Sequence, residues 1–159
     1  MKINSEQEMI KKGEAMAAAC PSDSSSQAAL AKSLRSVEHI AAITSPYVIE
    51  LVGDVGVGKT TFVRGLAKGL GIEEPITSPS FTISKSYACP DGRTLIHYDF
   101  YRLDDPGLMA EDLEENLKNP HNIVVIEWSD TVKDILPKEH ITVNIKYNDD
   151  GSREVETLA

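Results

Sequence analysis

Residues 53–60 read Gly-Asp-Val-Gly-Val-Gly-Lys-Thr, and this stretch decides the fold. It matches G-x-x-x-x-G-K-S/T at every specified position, which is the pattern of a phosphate-binding loop. A compact apolar run with β-branched residues, Tyr47–Val52, comes directly before it, and a helical pattern over 60–69 follows. The sequence therefore predicts a strand, a phosphate-binding loop and a helix in direct succession.

Each residue type in this loop has a physical task. The glycines let backbone N–H groups converge on phosphate oxygens, and the start of the next helix adds the positive end of its dipole. Lys59 supplies a flexible positive charge to the β- and γ-phosphates, and the Thr60 hydroxyl is placed to ligate Mg²⁺. We therefore expect ATP and Mg²⁺ at a nucleotide-binding set made of Gly53, Asp54, Val55, Gly56, Val57, Gly58, Lys59, Thr60 and Thr61, where Thr61 packs or caps.

Two carboxylates are candidates to complete a catalytic set with Lys59. Glu127 follows the apolar run 123–126, which is too uniformly apolar for a surface strand and is expected to be central. Asp99 lies at the end of the run 94–100. Glu127 could instead end a strand in solvent, and Asp99 could merely pair with Arg102. Two carboxylates beside one phosphate loop would suit hydrolysis.

The remaining chain indicates further helices and strands. Ser5 and Glu8 have the spacing of a capping pair at the start of a first helix that stops near Pro21. After Pro21, four apolar residues recur at helical spacing: Leu30, Leu34, Val37 and Ala41. Their spacing predicts a second amphipathic helix. Further expected elements are strands over 81–87, 94–100 and 123–127, a helix over 111–117, and a hairpin of 141–147 with 152–158.

Composition limits the function classes. The chain has 16 basic and 25 acidic residues and a net charge of -9, which disfavours direct binding to nucleic acid or anionic lipid. Cys20 and Cys89 are far apart in sequence, so neither a zinc site nor a redox motif is indicated. No run approaches the roughly eighteen apolar residues of a membrane span. A single cytoplasmic domain over 1–159 with reduced thiols is expected.

Four motifs in order resemble the TsaE (YjeE) family. They are GDVGVGKTTFVRGLAKGLG, TSPSF, HYDFYR and an apolar run that closes in Glu127-Trp128, and the resemblance covers about residues 47–158. It implies a three-layer, P-loop NTPase-like α/β fold with a central, mostly parallel sheet, an antiparallel extension and a C-terminal hairpin. It also implies a Mg²⁺-dependent ATPase needed to form threonylcarbamoyladenosine at position 37 of tRNAs that read codons beginning with A.

The resemblance also implies partners. The family's ATPase acts with the TsaD and TsaB proteins, so this protein would reach tRNA indirectly, through those partners. No membrane partner is expected. Hydrolysis is then expected to reset the complex, to be slow for the protein alone and to rise with the partners.

Further site residues come from the same resemblance. Thr60 and Glu127 look like the family's magnesium residues, and Asp99 looks like its second carboxylate. Ser80 and Thr82 fall in its switch-like loop, where the family usually has threonine after the proline instead of Ser80. Two more candidates are Trp128, either a core side chain or a group at the nucleotide, and Arg153, at a hairpin tip that could approach the base.

The segment 21–45 looks like an insertion between the family's first helix and its P-loop strand. In the family, the first helix lies close to the nucleotide, so an insertion here raises the question of how adenine is contacted. The insertion is either a helix that covers the sheet or a partner surface.

Three other functions share the P-loop. A small-molecule kinase usually has a lid with arginines, for which only Arg93 and Arg102 are candidates between the loop and the strand of Glu127. A regulatory GTPase would need a guanine motif, N/T-K-x-D, that the sequence lacks, although 104–107 satisfies D-x-x-G. A non-hydrolysing scaffold would bind ATP and partners without using Asp99 or Glu127 for turnover.

Overall fold

The computed structural model describes residues 1–21 and 45–158. The strands are β1 (Lys2–Ile3), β2 (Tyr47–Val52), β3 (Ser84–Ala88), β4 (Thr94–Asp99), β5 (Asn122–Glu127), β6 (Ile141–Tyr147) and β7 (Arg153–Leu158). The helices are α1 (Glu6–Ala17), α2 (Lys59–Gly69) and α3 (Gly107–Asn116), with short 3-10 turns at Ser129–Thr131 and Lys133–Ile135. The predicted helix over 30–41 lies outside the described residues.

The strands form one seven-stranded sheet in the order β1-β7-β6-β2-β5-β4-β3. The four central strands, β6, β2, β5 and β4, are parallel, while β3, β7 and β1 pair antiparallel at the two edges. This confirms the expected α/β fold with a mostly parallel sheet, an antiparallel extension and a C-terminal hairpin. Parallel strands present their carboxyl ends at the same edge, which is where such sheets bind ligands.

Helices α1 and α2 cover one face of the sheet and cross at very short distance. A Cβ on Gly13 would lie 2.2 Å from the carbonyl oxygen of Phe62, and one on Gly65 would lie 2.1 Å from that of Ile10. Only glycine fits at these two positions, because the backbones themselves are in contact. The buried residues of α1 recur at helical spacing, and they are Met9, Gly13, Met16 and Ala17.

Helix α3 and the turns after β5 cover part of the opposite face. Leu113 of α3 is fully buried against a second apolar cluster whose sheet residues are Val48, Ile96, Tyr98, Val124 and Ile126. The arrangement is therefore three layers, helices on both faces of one sheet. No helix among residues 1–21 and 45–158 is long and apolar enough to cross a bilayer.

Two elements begin three or four residues away from the position that the sequence predicts. The strand expected over 81–87 begins at Ser84, because the Pro79 carbonyl accepts the N–H groups of Thr82 and Ile83 and closes a turn. Phe81 is fully exposed in that turn, so its apolar character did not indicate a strand. The helix expected over 111–117 begins at Gly107.

Candidate functional site

A cleft of about 250 Å³ opens at the carboxyl ends of β2, β4 and β5. Most of the predicted site residues line it together, although they come from four separate stretches of chain. The lining comprises Val55, Gly56, Gly58, Lys59, Thr60, Thr61, Arg64, Ser78, Ser80, Asp99, Tyr101, Glu127 and Trp128. Parallel pairing of β2 with β5, and of β5 with β4, is what brings these stretches to one edge.

Glycine is required by geometry at both ends of the phosphate-binding loop. Gly53 has φ of 152°, and a Cβ there would lie 2.3 Å from the carbonyl oxygen of Ile145. Gly58 has φ of 115° and precedes the first residue of α2. The loop therefore turns sharply from β2 into α2, and the helix begins at Lys59 with its N-terminal N–H groups toward the cleft.

Lys59 is buried, with 6% of its surface exposed, at the base of the cleft. Its ammonium donates to the carbonyl oxygens of Gly53 at 2.7 Å and Asp54 at 3.0 Å. The same nitrogen lies 3.8 Å from Oε2 of Glu127 and 4.7 Å from the ring centroid of Trp128. The loop itself thus orients the lysine, and the nearest countercharge is the predicted carboxylate.

The two predicted carboxylates are neighbours across the sheet. Asp99 and Glu127 are directly paired in the register of β4 with β5, and both are 4% exposed. Glu127 therefore does not end its strand in solvent. Asp99 does not pair with Arg102 either, since the Arg102 guanidinium lies over the ring of Tyr101, 4.8 Å from its centroid.

Asp99 is connected to the switch-like loop. Its Oδ2 accepts from the Ser80 hydroxyl at 2.5 Å and from the Ser78 hydroxyl at 3.4 Å, while Oδ1 accepts from the N–H of Tyr101 at 3.0 Å. Thr82 is placed differently: its hydroxyl donates to the Pro79 carbonyl at 3.4 Å, and it is not among the residues that line the cleft.

Glu127 has a partner that the sequence interpretation missed. Nε2 of His97 lies 2.9 Å from Oε1 of Glu127, and His97 is completely buried. The signal was present in the sequence, because strand alternation places His97 and Asp99 on the same face of β4. Only the register of β4 with β5 shows that this face meets Glu127.

The donor set of the cleft fits Mg²⁺. The Thr60 hydroxyl and the carboxylates of Glu127 and Asp99 are hard oxygen ligands, and all three residues line the same space. Within the described part of the chain, no group of three or more His, Cys, Asp or Glu side chains forms a metal cage. Mg²⁺ in phosphate sites is held by one or two protein oxygens with phosphates and water, so the cleft matches that mode of binding.

The C-terminal hairpin contacts the phosphate-binding loop. The Tyr147 hydroxyl donates to the carbonyl oxygen of Gly56 at 2.7 Å, and Nε of Arg153 donates to that of Val57 at 2.8 Å. The Arg153 guanidinium also lies 5.4 Å from the centroid of the Tyr147 ring. Arg153, predicted from the hairpin tip, thus reaches the loop backbone, and Tyr147 is an additional contact that the sequence did not indicate.

Trp128 adopts a left-handed backbone conformation, with φ of 56°. Its ring contacts the Tyr101 ring at 4.9 Å between centroids and forms part of the cleft wall beside Lys59. The side chain is half-buried and belongs to the site, not to the apolar interior alone.

Behind the loop, Glu50 is a buried carboxylate that interrupts the apolar strand β2. Its Oε1 accepts from the Ser129 hydroxyl. Its Oε2 accepts from the Thr142 hydroxyl at 3.1 Å and lies 3.2 Å from Nε2 of His140. Burial by itself would raise the pKa of Glu50, but the hydrogen bonds from Ser129, His140 and Thr142 outweigh it and hold the pKa below its usual 4.5. Glu50 therefore anchors the segment that carries Trp128.

The two ends of the insertion lie away from the cleft. Arg93, in the turn before β4, donates to the carbonyl oxygen of Pro21 at 2.7 Å. Pro21, Arg93, Ser45 and Pro46 line one cavity of about 180 Å³ at the amino ends of the central strands. The other end of α1 faces the loop, since the Met9 methyl is 3.3 Å from a Cβ built on Gly58.

The chain is similar to known proteins of one family. The family model described as "Threonylcarbamoyl adenosine biosynthesis protein TsaE" matches residues 3–155. A protein of Nostoc sp. called tRNA threonylcarbamoyladenosine biosynthesis protein TsaE is 44% identical over 118 residues, 72% of this chain and 71% of the relative. The protein of the same name from Haemophilus influenzae is 40% identical over 116 residues, 70% of each chain.

A solved structure extends the similarity to the fold. The crystal structure of YdiB from Bacillus subtilis superposes with a TM-score of 0.64 and 28% sequence identity, over 98% of this chain and 80% of that one. The family match spans nearly the whole sequence, and the relatives cover more than two thirds of it. The chain therefore belongs to the TsaE family and takes part in the threonylcarbamoyladenosine modification of tRNA.

Proposed function

We propose that this protein is a Mg²⁺-dependent ATPase that supports threonylcarbamoyladenosine formation at position 37 of tRNAs reading A-starting codons, acting with TsaD and TsaB. One observation carries the proposal. The P-loop lysine and two buried carboxylates, Asp99 and Glu127, line a single cleft at the end of a phosphate-binding loop. A protein that only binds ATP has no need of two buried carboxylates beside the phosphates, because burying such charges is costly.

Each residue has a role in this reaction. The loop N–H groups and Lys59 bind the phosphates, and Thr60 with Glu127 would hold Mg²⁺, which neutralises phosphate charge when bound. Asp99 orients a water molecule and accepts its proton as the water oxygen attacks the γ-phosphorus. The bond from that phosphorus to the β–γ bridging oxygen breaks, and its electron pair leaves with ADP. Asp99 then returns the proton to phosphate or solvent.

The surroundings of the cleft favour hydrolysis over phosphoryl transfer to a metabolite. Arg93 lies at the opposite edge of the sheet, and Arg102 stacks on Tyr101. Neither arginine lines the cleft, so neither serves as the lid that a small-molecule kinase would use; among the described residues, Arg64 of α2 is the arginine in the lining. The net charge of -9 further supports an action on tRNA through partners.

The test is ATP hydrolysis by the purified protein, with and without Mg²⁺ and with and without cognate TsaB and TsaD. We expect slow turnover that rises with both partners and is lost in Lys59→Ala and Glu127→Ala. Lys68→Ala is the matched control, because Lys68 lies on the same helix but pairs with Glu14 outside the cleft. Partner-independent turnover, or turnover that survives Lys59→Ala, would contradict the proposal. ATP binding without hydrolysis in any mixture would instead identify a scaffold.

A further inference from the structure

His97 and Glu127 form the most deeply buried polar pair beside the cleft. His97 has no exposed surface, and Glu127 is 4% exposed. Their contact, 2.9 Å from Nε2 to Oε1, is a hydrogen bond in which Nε2 donates, because an ionised carboxylate only accepts. Burying an imidazole in an otherwise apolar layer costs free energy unless the ring makes a compensating contact.

The two oxygens of Glu127 have different surroundings. Oε1 points into the protein and is bonded to His97, while Oε2 lies 3.8 Å from the Lys59 ammonium. The terminal torsion of a glutamate is soft, so the carboxylate plane would turn readily without a fixed donor. The hydrogen bond to Oε1 therefore decides which oxygen faces the cleft.

The other nitrogen of His97 supports the same interpretation. Nδ1 is buried and has no hydrogen-bond partner among the described residues. Within the described part of the chain, the ring thus makes a single hydrogen bond, to Glu127. The partners of Asp99 differ from the buried partner of Glu127. Asp99 accepts hydrogen bonds from hydroxyl groups of the exposed loop that carries Ser78 and Ser80.

We propose that His97 is a positioning residue that fixes the Glu127 carboxylate so that one oxygen is presented to Lys59 and to the metal side of the cleft. This inference rests on the proposed Mg²⁺-dependent nucleotide chemistry. The inference extends that chemistry by assigning a function to a buried residue, His97, that does not itself line the cleft. The alternative is a histidine that only fills space between β4 and its neighbours.

The test compares His97→Leu, which removes the donor, with His97→Gln, whose side-chain amide can still donate. Tyr98→Phe is the matched control, because Tyr98 is at the adjacent position of the same strand, on the opposite face. This substitution removes two partly buried hydrogen bonds, one donated to Asp112 and one accepted from Asn116. Each variant is first checked for cooperative urea unfolding. Glu127→Gln, alone and combined with His97→Leu, completes a double-mutant cycle.

Two readouts are used. The first is the rate of ATP hydrolysis at saturating ATP. The second needs no turnover: the affinity for a non-hydrolysable ATP analogue with Mg²⁺ and with EDTA, followed by the fluorescence of Trp128, the single tryptophan of the chain. We expect His97→Leu to lower turnover and the Mg²⁺-dependent gain in affinity by about 10–100-fold, as for other residues that orient metal ligands. The affinity in EDTA should change less than about twofold, and His97→Gln should recover most of the loss.

In the Glu127→Gln background, His97→Leu should have less than about a twofold further effect, because its action passes through Glu127. An equal loss in both backgrounds, an equal loss in EDTA, or a loss no larger than that of Tyr98→Phe would overturn the proposal. If the wild-type protein does not hydrolyse ATP, the ATPase proposal fails and the Mg²⁺-affinity cycle alone decides for or against His97. If His97→Leu does not fold, full Mg²⁺ response in His97→Gln supports the inference and its loss overturns it.

Discussion

Nε of Arg153 donates to the carbonyl oxygen of Val57 at 2.8 Å, so the C-terminal hairpin is bonded directly to the phosphate-binding loop. Tyr147, from the other strand of the hairpin, donates to Gly56 in the same way. Both bonds engage carbonyl oxygens and leave the N–H groups of the loop available for phosphate. The hairpin therefore stabilises the conformation of this loop, which is the one proposed to bind phosphate.

Removal of either bond should weaken nucleotide binding. One hydrogen bond is worth about 1 kcal/mol, so we expect Arg153→Met and Tyr147→Phe each to raise the Kd for ATP by about fivefold. Calorimetric titration with ATP measures the change. Glu156→Gln is the control, because it alters an exposed residue of the same hairpin away from the loop. An unchanged Kd in both variants would mean that the hairpin contacts are incidental.

Ser80 should affect turnover more than binding. Its hydroxyl is bonded to Asp99, the residue proposed to orient water, at 2.5 Å. We expect Ser80→Ala to lower the hydrolysis rate at saturating ATP by about 3–10-fold, since about 1 kcal/mol of orientation is lost. Ser80→Thr keeps the hydroxyl and should retain activity, and Thr82→Val is the control in the same loop. Equal rates in Ser80→Ala and wild type would remove Ser80 from the site.

Both thiols should be inert in the folded protein. Cys20 and Cys89 are buried and free. Burial is the main reason that the pKa of Cys20 is raised to about 12 and that of Cys89 is raised above 9.0. Since the thiolate is the reactive form, Ellman's reagent at pH 8 should label almost no thiol in the native protein and both in urea. Rapid labelling before unfolding would contradict the buried positions.

Glu50 should make stability depend on pH. Its pKa is held below 4.5, so its contribution is present above pH 4.5 and is lost as the pH falls through the folded-state pKa. We expect Glu50→Gln to lower the free energy of unfolding at pH 7 by about 1.5–3 kcal/mol, because hydrogen bonds to a charged group are lost. Urea unfolding at several pH values should show the difference between variant and wild type shrinking below pH 4.5. A constant difference would argue against an ionised Glu50.

The segment 22–44 should be dispensable for nucleotide binding. Its flanking residues, Pro21 and Ser45, line a cavity at the amino ends of the strands, at the opposite edge from Lys59. Replacement of 22–44 by a short Gly/Ser linker should therefore leave the Kd for ATP within about twofold, because binding at the other edge is independent. Loss of ATP binding in a variant that still unfolds cooperatively would show that the segment reaches the site.

Local patterns in the sequence identified the central elements because these elements are specified by residues that are close together in the chain. The run Tyr47–Val52 and the run Ile141–Tyr147 are strands with the expected bounds, since β-branched alternation and turn residues act over a few positions. In the loop 53–60, glycines have backbone conformations that other residues rarely adopt, so the glycine pattern of the sequence indicated the sharp turn at this position. Strand 81–87 was misplaced because a proline-closed turn exposes Phe81.

The sequence by itself determined the glycine pattern of the loop 53–60, the order of strands and helices from β2 to β7, and the carboxylates that end two of the strands. Only the tertiary structure decided which distant groups meet: His97 with Glu127, Ser80 with Asp99, and Arg153 with Val57. The physical reason is that periodicity fixes the face on which a side chain lies, whereas sheet order and register fix what that face touches. Those two properties depend on pairing between segments that are far apart in the chain.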